Sequence, residues 1–216
     1  MSSTPSETYR LETFADAVFA IAITLLVIEI HLPPHEEVLR IGGVGPALLQ
    51  LWPSYVGYVI SFIVIGIMWA NHHNLMKLVD RVDHGFMTLT LLLLMCIAFL
   101  PFPTAVMAEH LADPDEHERA VAVAFYCGCF TVTAVFYFLM WWHAARGRRL
   151  IASHVSDEAV RTITRAYVPG SIFYLTATVI AFVNVALSLA IVVGLAALYM
   201  FPHVGAHRAA KRPSSN

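Results

Sequence analysis

Ionisable side chains are scarce inside the apolar stretches of this sequence, and most of those present fall in two stretches. The first stretch carries Asp16 near its beginning and Glu29 near its end, and the second ends with Trp69, Asn71 and two adjacent histidines. A charged group within a lipid bilayer is costly, so such residues are candidates for function. They are too few for a proton-pumping relay, which would need acids or histidines across the whole bilayer.

The adjacent histidines, His72 and His73, raise the question of a metal site or a membrane enzyme. Successive side chains on a helix point about 100° apart, and no cysteine or carboxylate stands at ligand spacing from the pair. An enzyme would also need a nucleophile or a set of metal ligands, and this histidine pair is the only candidate for part of such a site. We therefore expect no enzymatic activity, no cofactor and no resident metal.

The chain around these residues has the composition of a membrane protein. It is 58% hydrophobic and 13% charged, whereas soluble domains carry about 25% charged residues, and it has no basic face of the kind that nucleic acid needs. Six apolar stretches have roughly the 20 residues that a helix needs to cross about 30 Å of hydrocarbon. They lie at residues 12–32, 50–75, 85–108, 119–143, 160–182 and 185–201.

These stretches predict an all-α fold, an integral membrane six-helix bundle. We expect the bundle to occupy residues 1–205 and the polar tail at 206–216 to be disordered. Asn184 is the expected break between the last two helices. The fifth helix is expected to begin earlier than its apolar stretch, in the amphipathic segment that starts at Asp157.

Prolines mark two places where helices should stop or bend. Pro33 and Pro34 are expected to end the first helix, because proline lacks the N–H that a helix interior needs. Pro101 and Pro103 are expected to kink the third helix or to end part of it.

Lysine and arginine are distributed unevenly over the two sides of the predicted bundle. Of the 13 basic residues, only Arg40 and Arg119 fall on one side, and the other eleven fall on the opposite side. The positive-inside rule then places both chain termini in the cytoplasm. Five or seven helices would mix the two sets, so the asymmetry supports six.

The first helix has two distinct sides at about 100° per residue. One face, at i, i+3, i+4 and i+7 spacing, carries Ile21, Thr24, Leu25, Ile28 and Leu32. Asp16 points to the opposite side, toward neighbouring helices of its own subunit, and Glu29 flanks the face near its end. An apolar face on a membrane helix usually packs against lipid or other helices, so the spacing alone does not identify what this face meets.

Four short motifs occur in the first half of the chain. They are Arg10-x-x-x-Phe14-Ala15-Asp16, Trp52-Pro53, Trp69-Ala70-Asn71-His72-His73 and Leu100-Pro101-Phe102-Pro103-Thr104. Together they resemble the transmembrane protein 175 family of potassium channels, in which the first motif usually reads Arg-x-x-x-Phe-Ser-Asp. The resemblance is strong over about the first half of the chain and rests on helix count beyond it. Ala15 replaces the family serine, so any hydrogen bond of that hydroxyl is missing.

The resemblance implies a homotetramer in the lipid bilayer, with the first helix of each subunit lining a central pore that conducts mainly potassium ions. The carbonyl filter Thr-Val-Gly-Tyr-Gly of ordinary potassium channels is absent. The family instead implies an apolar constriction, here at Ile21, Leu25 and Ile28, with Thr24 as a polar ring. Glu29 would concentrate cations at the outer mouth. A single six-helix unit, rather than the doubled arrangement of animal members, implies a prokaryotic plasma membrane.

We interpret the remaining motif residues as scaffold. Six helical residues rise about 9 Å, and the second helix returns to the cytoplasmic level near Lys77. The polar end of the second helix therefore lies at about the depth of Asp16. We expect a buried structural network among Arg10, Phe14, Asp16, Trp69, Asn71, His72 and His73.

Other interpretations stay open. The fold also suits a secondary transporter or a proton-permeable leak, although a transporter needs a substrate site near mid-membrane, where no polar cluster is evident. Thr24 could bond its own backbone carbonyl one turn back. Glu29 could be an interfacial carboxylate without a role in conduction.

Overall fold

The computed structural model describes residues 6–200, apart from the side chains of Ala166, Val168 and Met200. This part of the chain is helical, with one isolated antiparallel bridge between Val79 and Ile151. The helices are α1 Glu7–Ile28, α2 His35–Ile41, α3 Val44–Gln50, α4 Trp52–Met76, α5 His84–Phe99, α6 Pro101–His110, α7 Glu116–Ala145, α8 Asp157–Ile180 and α9 Val185–Met200. The all-α prediction is confirmed.

Four helical segments of the described chain are long and apolar enough to cross a membrane. They are Glu7–Ile28, Trp52–Met76, His84–His110 and Glu116–Arg148. A shorter apolar helix covers Val185–Tyr199, and α8 begins with an acidic first turn at Asp157 and Glu158. The chain is therefore a multi-pass membrane protein, and the count of six spans stays a prediction.

The helix breaks largely follow the sequence signals. The third predicted span divides into α5 and α6 at Leu100, directly before Pro101 and three residues before Pro103, so the predicted proline break is confirmed. Asn184 separates α8 from α9, and its side-chain oxygen accepts a hydrogen bond from the backbone N–H of Leu187 at 2.9 Å. The predicted start of α8 at Asp157 is also confirmed.

The predicted end of the first helix is wrong. α1 begins at Glu7 and ends at Ile28, four residues before Leu32. The physical reason is the proline pair, because a residue that precedes proline is disfavoured in the helical conformation and each proline ring clashes with the carbonyl four residues earlier. The apolar pattern therefore continues beyond the helix itself.

The segment between α1 and α4 contains two short helices, α2 and α3. These two short helices join at Gly42 and Gly43, whose φ angles of +103° and +105° suit glycine far better than other residues. Both helices have seven residues. The predicted tail at 206–216 lies outside the described residues.

The core runs between α1, α4, α5 and α7. Its largest fully buried side chains include Trp141, Tyr126, Phe19, Phe86 and Phe130. Between α4, α6 and α7 the hydroxyl of Ser61 lies 2.8 Å from that of Thr104 and 2.9 Å from that of Tyr126. Buried hydroxyl groups that bond one another satisfy their hydrogen-bonding needs and fix the register of packed helices.

Candidate pore-lining helix and its anchor

The two faces of α1 have different surroundings. The buried face carries Leu11, Ala15, Phe19, Ala22 and Leu26, all at most 8% exposed. These residues recur every three or four positions, which is the spacing of one helical face. They pack against α4 and α5, so α1 is held on this side by its own subunit.

The opposite face of α1 is uncovered within the chain. Ile21 is 58% exposed, Leu25 is 37% exposed and Ile28 is 60% exposed, and Thr24 is exposed beside them. The four predicted pore residues therefore share one open face.

Thr24 uses its hydroxyl proton inside the helix. Its Oγ1 donates a hydrogen bond to the backbone carbonyl of Ile21 at 2.8 Å, which is the local bond that the sequence left open as an alternative. A hydroxyl oxygen also carries two acceptor lone pairs. The hydroxyl proton is therefore used inside the helix, and the oxygen keeps acceptor capacity for another group.

Glu29 does not lie on the helix. It is the C-terminal cap of α1, half-buried, and its backbone carbonyl lies 3.1 Å from Nδ1 of His31. Leu32, which the predicted helix placed on the pore face, follows beyond the helix end and is 53% exposed. The helical face therefore ends at Ile28.

A chain of polar contacts anchors α1 to α4 on the side opposite the open face. The indole Nε1–H of Trp69 donates to the Asp16 carboxylate at 2.9 Å. The Trp69 ring stacks on His73, with ring centres 5.9 Å apart and planes 15° apart. His73 Nδ1 in turn lies 2.8 Å from the Glu12 carboxylate. Two carboxylates one turn apart on α1 thus meet a tryptophan and a histidine one turn apart on α4.

Glu12 was not among the predicted site residues. The signal was available, because Glu12 precedes Asp16 by four residues and therefore shares its side of a helix. Its partner His73 follows Trp69 by four residues in the same way. Pairing the two i, i+4 sets would have suggested both contacts at once.

His72 lies deeper in the same interface. It is 0% exposed, and its ring centre is 5.7 Å from that of Phe19. Neither ring nitrogen has a hydrogen-bond partner in the described part of the chain. Ala15, which replaces the family serine, lies one turn before Phe19 on the same buried face of α1 and is 0% exposed. A buried polar group without a partner is costly.

Three residues of the expected network are not brought into it. Arg10 and Phe14 are exposed on the other side of α1, with Phe14 50% exposed, and the Arg10 guanidinium has no hydrogen bond or ion pair within residues 6–200. Both positions fall within about 20° of Ile21 on a helical wheel, so they lie on the open face of α1 and not on the side that meets α4. Asn71 instead lines a cavity between α4, α7, α8 and α9, beside Tyr137 and Tyr167.

The adjacent histidines raised the question of a metal site. No set of three histidine, cysteine, aspartate or glutamate side chains is grouped as a metal site within the described ranges. His72 and His73 point to different partners, one toward Phe19 and the other toward Glu12. The pair therefore acts in helix packing in this structure.

Comparisons with known proteins agree with this architecture. Residues 10–101 match the family model described as the endosomal/lysosomal potassium channel TMEM175. A potassium channel of Chamaesiphon minutus is 45% identical over 186 residues, which cover 86% of this chain and 90% of that protein. A potassium channel of Streptomyces collinus is 42% identical, covering 90% of this chain and 91% of that protein.

A solved structure shows the same fold. The crystal structure of a lysosomal potassium-selective channel TMEM175 homolog from Chamaesiphon minutus superposes with a TM-score of 0.80 at 43% identity. The match covers 90% of this chain and 96% of that chain. Relatives of this identity and coverage place the whole bundle, and not only the motif region, within one family. The chain belongs to the TMEM175 family.

Proposed function

We propose that this protein is a potassium channel in which four copies of the chain surround a pore lined by α1. The observation that carries the proposal is the open face of α1, where Ile21, Thr24, Leu25 and Ile28 are exposed while the opposite face is buried. The two relatives described above are named potassium channels, which supports the assignment of the permeating ion.

Oligomerisation would allow the open faces of several α1 helices to enclose a pore. A closed cyclic assembly brings the same patch of every subunit to one axis. Four copies of α1, each held from behind by α4 and α5, would place four equivalent Ile21 side chains around that axis. The anchor of Asp16 and Glu12 on α4 supports this role, because it fixes the rotation of α1 about its own axis.

The apolar ring supplies the barrier to ion passage. A narrow ring of isoleucine side chains gates by excluding water, and an ion that enters it loses hydration without receiving a replacement. Opening then requires the ring to widen. One turn further along, four Thr24 oxygens would replace part of the hydration shell of a dehydrated cation.

The proposed orientation rests on charge. A six-span bundle would bring eleven of the 13 basic residues to one side, and the positive-inside rule assigns that side to the cytoplasm. We place both termini there, in a prokaryotic plasma membrane. Glu29, just past the outer end of α1, then lies where a ring of four carboxylates would raise the local cation concentration.

A flux assay with separate arms tests the proposal. Liposomes that contain the purified protein are loaded with potassium and diluted into sodium, and potassium efflux is followed by the proton uptake that it drives through an added protonophore. We expect potassium efflux that rises linearly with the potassium gradient, and an optical signal only when the protonophore is present. Proton uptake without the protonophore would indicate a proton-permeable leak. Saturating flux that requires a second ion would indicate a transporter.

A further inference from the structure

Two linkers meet at the end of the bundle where α4 ends and α5 begins, which we call the linker end. Residues 77–83 join α4 to α5, and residues 146–156 join α7 to α8. The backbone N–H of Asp80 donates to the carbonyl of Leu150, and that of Ala152 donates to the carbonyl of Leu78, each at 2.9 Å. Val79 and Ile151 are buried between them. The linkers are therefore fixed to each other.

This pairing brings arginines together. In the antiparallel bridge Val79 faces Ile151, and Arg81 and Arg149 each lie two residues from the bridge, at its same end. Both are exposed, and the Arg149 side chain is 71% exposed. Two exposed arginines at the same end of one bridge concentrate positive charge there, and this charge favours an anion.

The turn after α7 gives the neighbouring residues Arg146 and Arg148 different contacts. Gly147 and Arg148 have φ angles of +65° and +56°, and the Arg148 guanidinium donates to the Asp157 carboxylate and to the carbonyl of Val155. Arg148 is thus directed toward the protein. Arg146 is left on the surface, with its guanidinium carbon 5.2 Å from the centre of the Trp142 ring.

Nearby acids neutralise the exposed arginines only in part. The Asp83 carboxylate accepts hydrogen bonds from the backbone N–H of Phe86 at 2.8 Å and from His143 Nε2 at 2.8 Å. Its other oxygen lies 4.0 Å from Arg149, at the outer limit of an ion pair. Asp80 is exposed and forms no side-chain ion pair within the described residues.

We propose that Arg81, Arg146 and Arg149, beside Trp142, bind the phosphate of an anionic lipid headgroup. Arginine binds phosphate with two parallel hydrogen bonds. Trp142 is 45% exposed near the end of a membrane-crossing helix, where tryptophan marks the boundary between hydrocarbon and headgroups. A phosphate held at that depth is one that a lipid already supplies, which favours a lipid over free phosphate in solution.

The site lies away from the open face of α1 and does not depend on ion conduction. Each basic residue near an anionic membrane surface contributes about a fivefold change in binding. Loss of both Arg81 and Arg149 should therefore weaken the preference for anionic lipid by about 25-fold. The effect should diminish with salt, because exposed charges are screened.

Native mass spectrometry of the purified full-length protein tests this. Phosphatidylglycerol is titrated against phosphatidylcholine, with the variants Arg81→Gln, Arg149→Gln and the double variant. Arg40→Gln is the matched control, since it removes the same charge from an exposed residue of α2 at the other end of the bundle. Thermal unfolding in phosphatidylcholine alone shows which variants fold normally.

We expect tighter binding of phosphatidylglycerol than of phosphatidylcholine in the wild type and in Arg40→Gln, and a loss of this preference in the double variant. Each folded single variant should lose about fivefold. Equal binding of the two lipids by the wild type would overturn the proposal. So would an unchanged preference in the folded variants, or full displacement of the lipid by inorganic phosphate at a concentration equal to that of the lipid.

Discussion

Removal of the Asp16 carboxylate should weaken assembly of the protein far more than it changes ion selectivity. The structure places Asp16 on the α4 side of α1, where it accepts a hydrogen bond from Trp69 Nε1 at 2.9 Å, and away from the face of Ile21. The variants are Asp16→Ala, Trp69→Phe and the two combined. Together they form a double-mutant cycle that isolates the energy of this contact.

The expected coupling energy is about 1 kcal/mol per subunit. A hydrogen bond to a charged group contributes about 1.5–3 kcal/mol in soluble proteins. Polar contacts inside membrane proteins average about 0.6 kcal/mol and reach about 1.7 kcal/mol. Trp69 is 42% exposed in the single chain, so a value within the membrane range is the appropriate one. Asp16→Ala alone should cost more, since it also leaves the indole N–H unpaired.

The assay is unfolding in mixed micelles with increasing sodium dodecyl sulfate, together with the yield of tetramer on size exclusion and the potassium-to-sodium permeability ratio. We expect a positive coupling energy, a reduced tetramer yield for Asp16→Ala and an unchanged permeability ratio in the tetramers that form. A coupling energy indistinguishable from zero would refute the anchor. A normal tetramer yield with an altered permeability ratio would place Asp16 in the ion path instead.

Two further predictions concern buried and capping groups. We expect the hydroxyl added in Ala15→Ser to hydrogen-bond the unpartnered ring of His72 and to stabilise the protein by about 1 kcal/mol in thermal or detergent unfolding. An equal loss of stability would show that the hydroxyl does not reach this ring. The hydrogen bond from the backbone N–H at the start of α5 lowers the pKa of Asp83, and the bond from His143 lowers it by a smaller amount. The ionised carboxylate of Asp83 therefore stabilises the fold at neutral pH, and this contribution is lost as the pH falls below about 4. Between pH 7 and pH 3, Asp83→Asn should therefore lose less unfolding free energy than the wild type. Asp80→Asn, the control, should lose as much unfolding free energy as the wild type. The same dependence of unfolding free energy on pH in all three proteins would contradict this.

The helix breaks were predictable because they depend on local chemistry. Proline lacks an N–H wherever it occurs, so Pro101 interrupts the third span, and Asn184 caps the helix that follows it. The end of α1 was not found, because apolarity continues past the last helical residue to Leu32. The short helices α2 and α3 were missed since seven residues provide too few turns for a periodic signal.

Contacts between helices were only partly predictable. The wheel placed Asp16 opposite Ile21, and that division needs only the helical period. Which residue of α4 meets Asp16 depends on the register of two helices that are distant in sequence, so the Glu12–His73 pair was missed. The same limitation assigned Arg10 to a network that lies on the other side of α1.

The central claim, that the open face of α1 lines the ion path, is tested most directly by single-channel recording in planar bilayers. Ile21→Asn would place a polar group in the constriction, whereas Val27→Asn makes the same kind of change on an equally exposed residue of α1, 54% against 58% exposed, about 120° away around the helix. We predict that Ile21→Asn raises the resting potassium current, because water then enters the ring more easily, and that Val27→Asn leaves it near the wild-type level. An unchanged current in Ile21→Asn, or an equal rise in both variants, would contradict the assignment of this face to the pore.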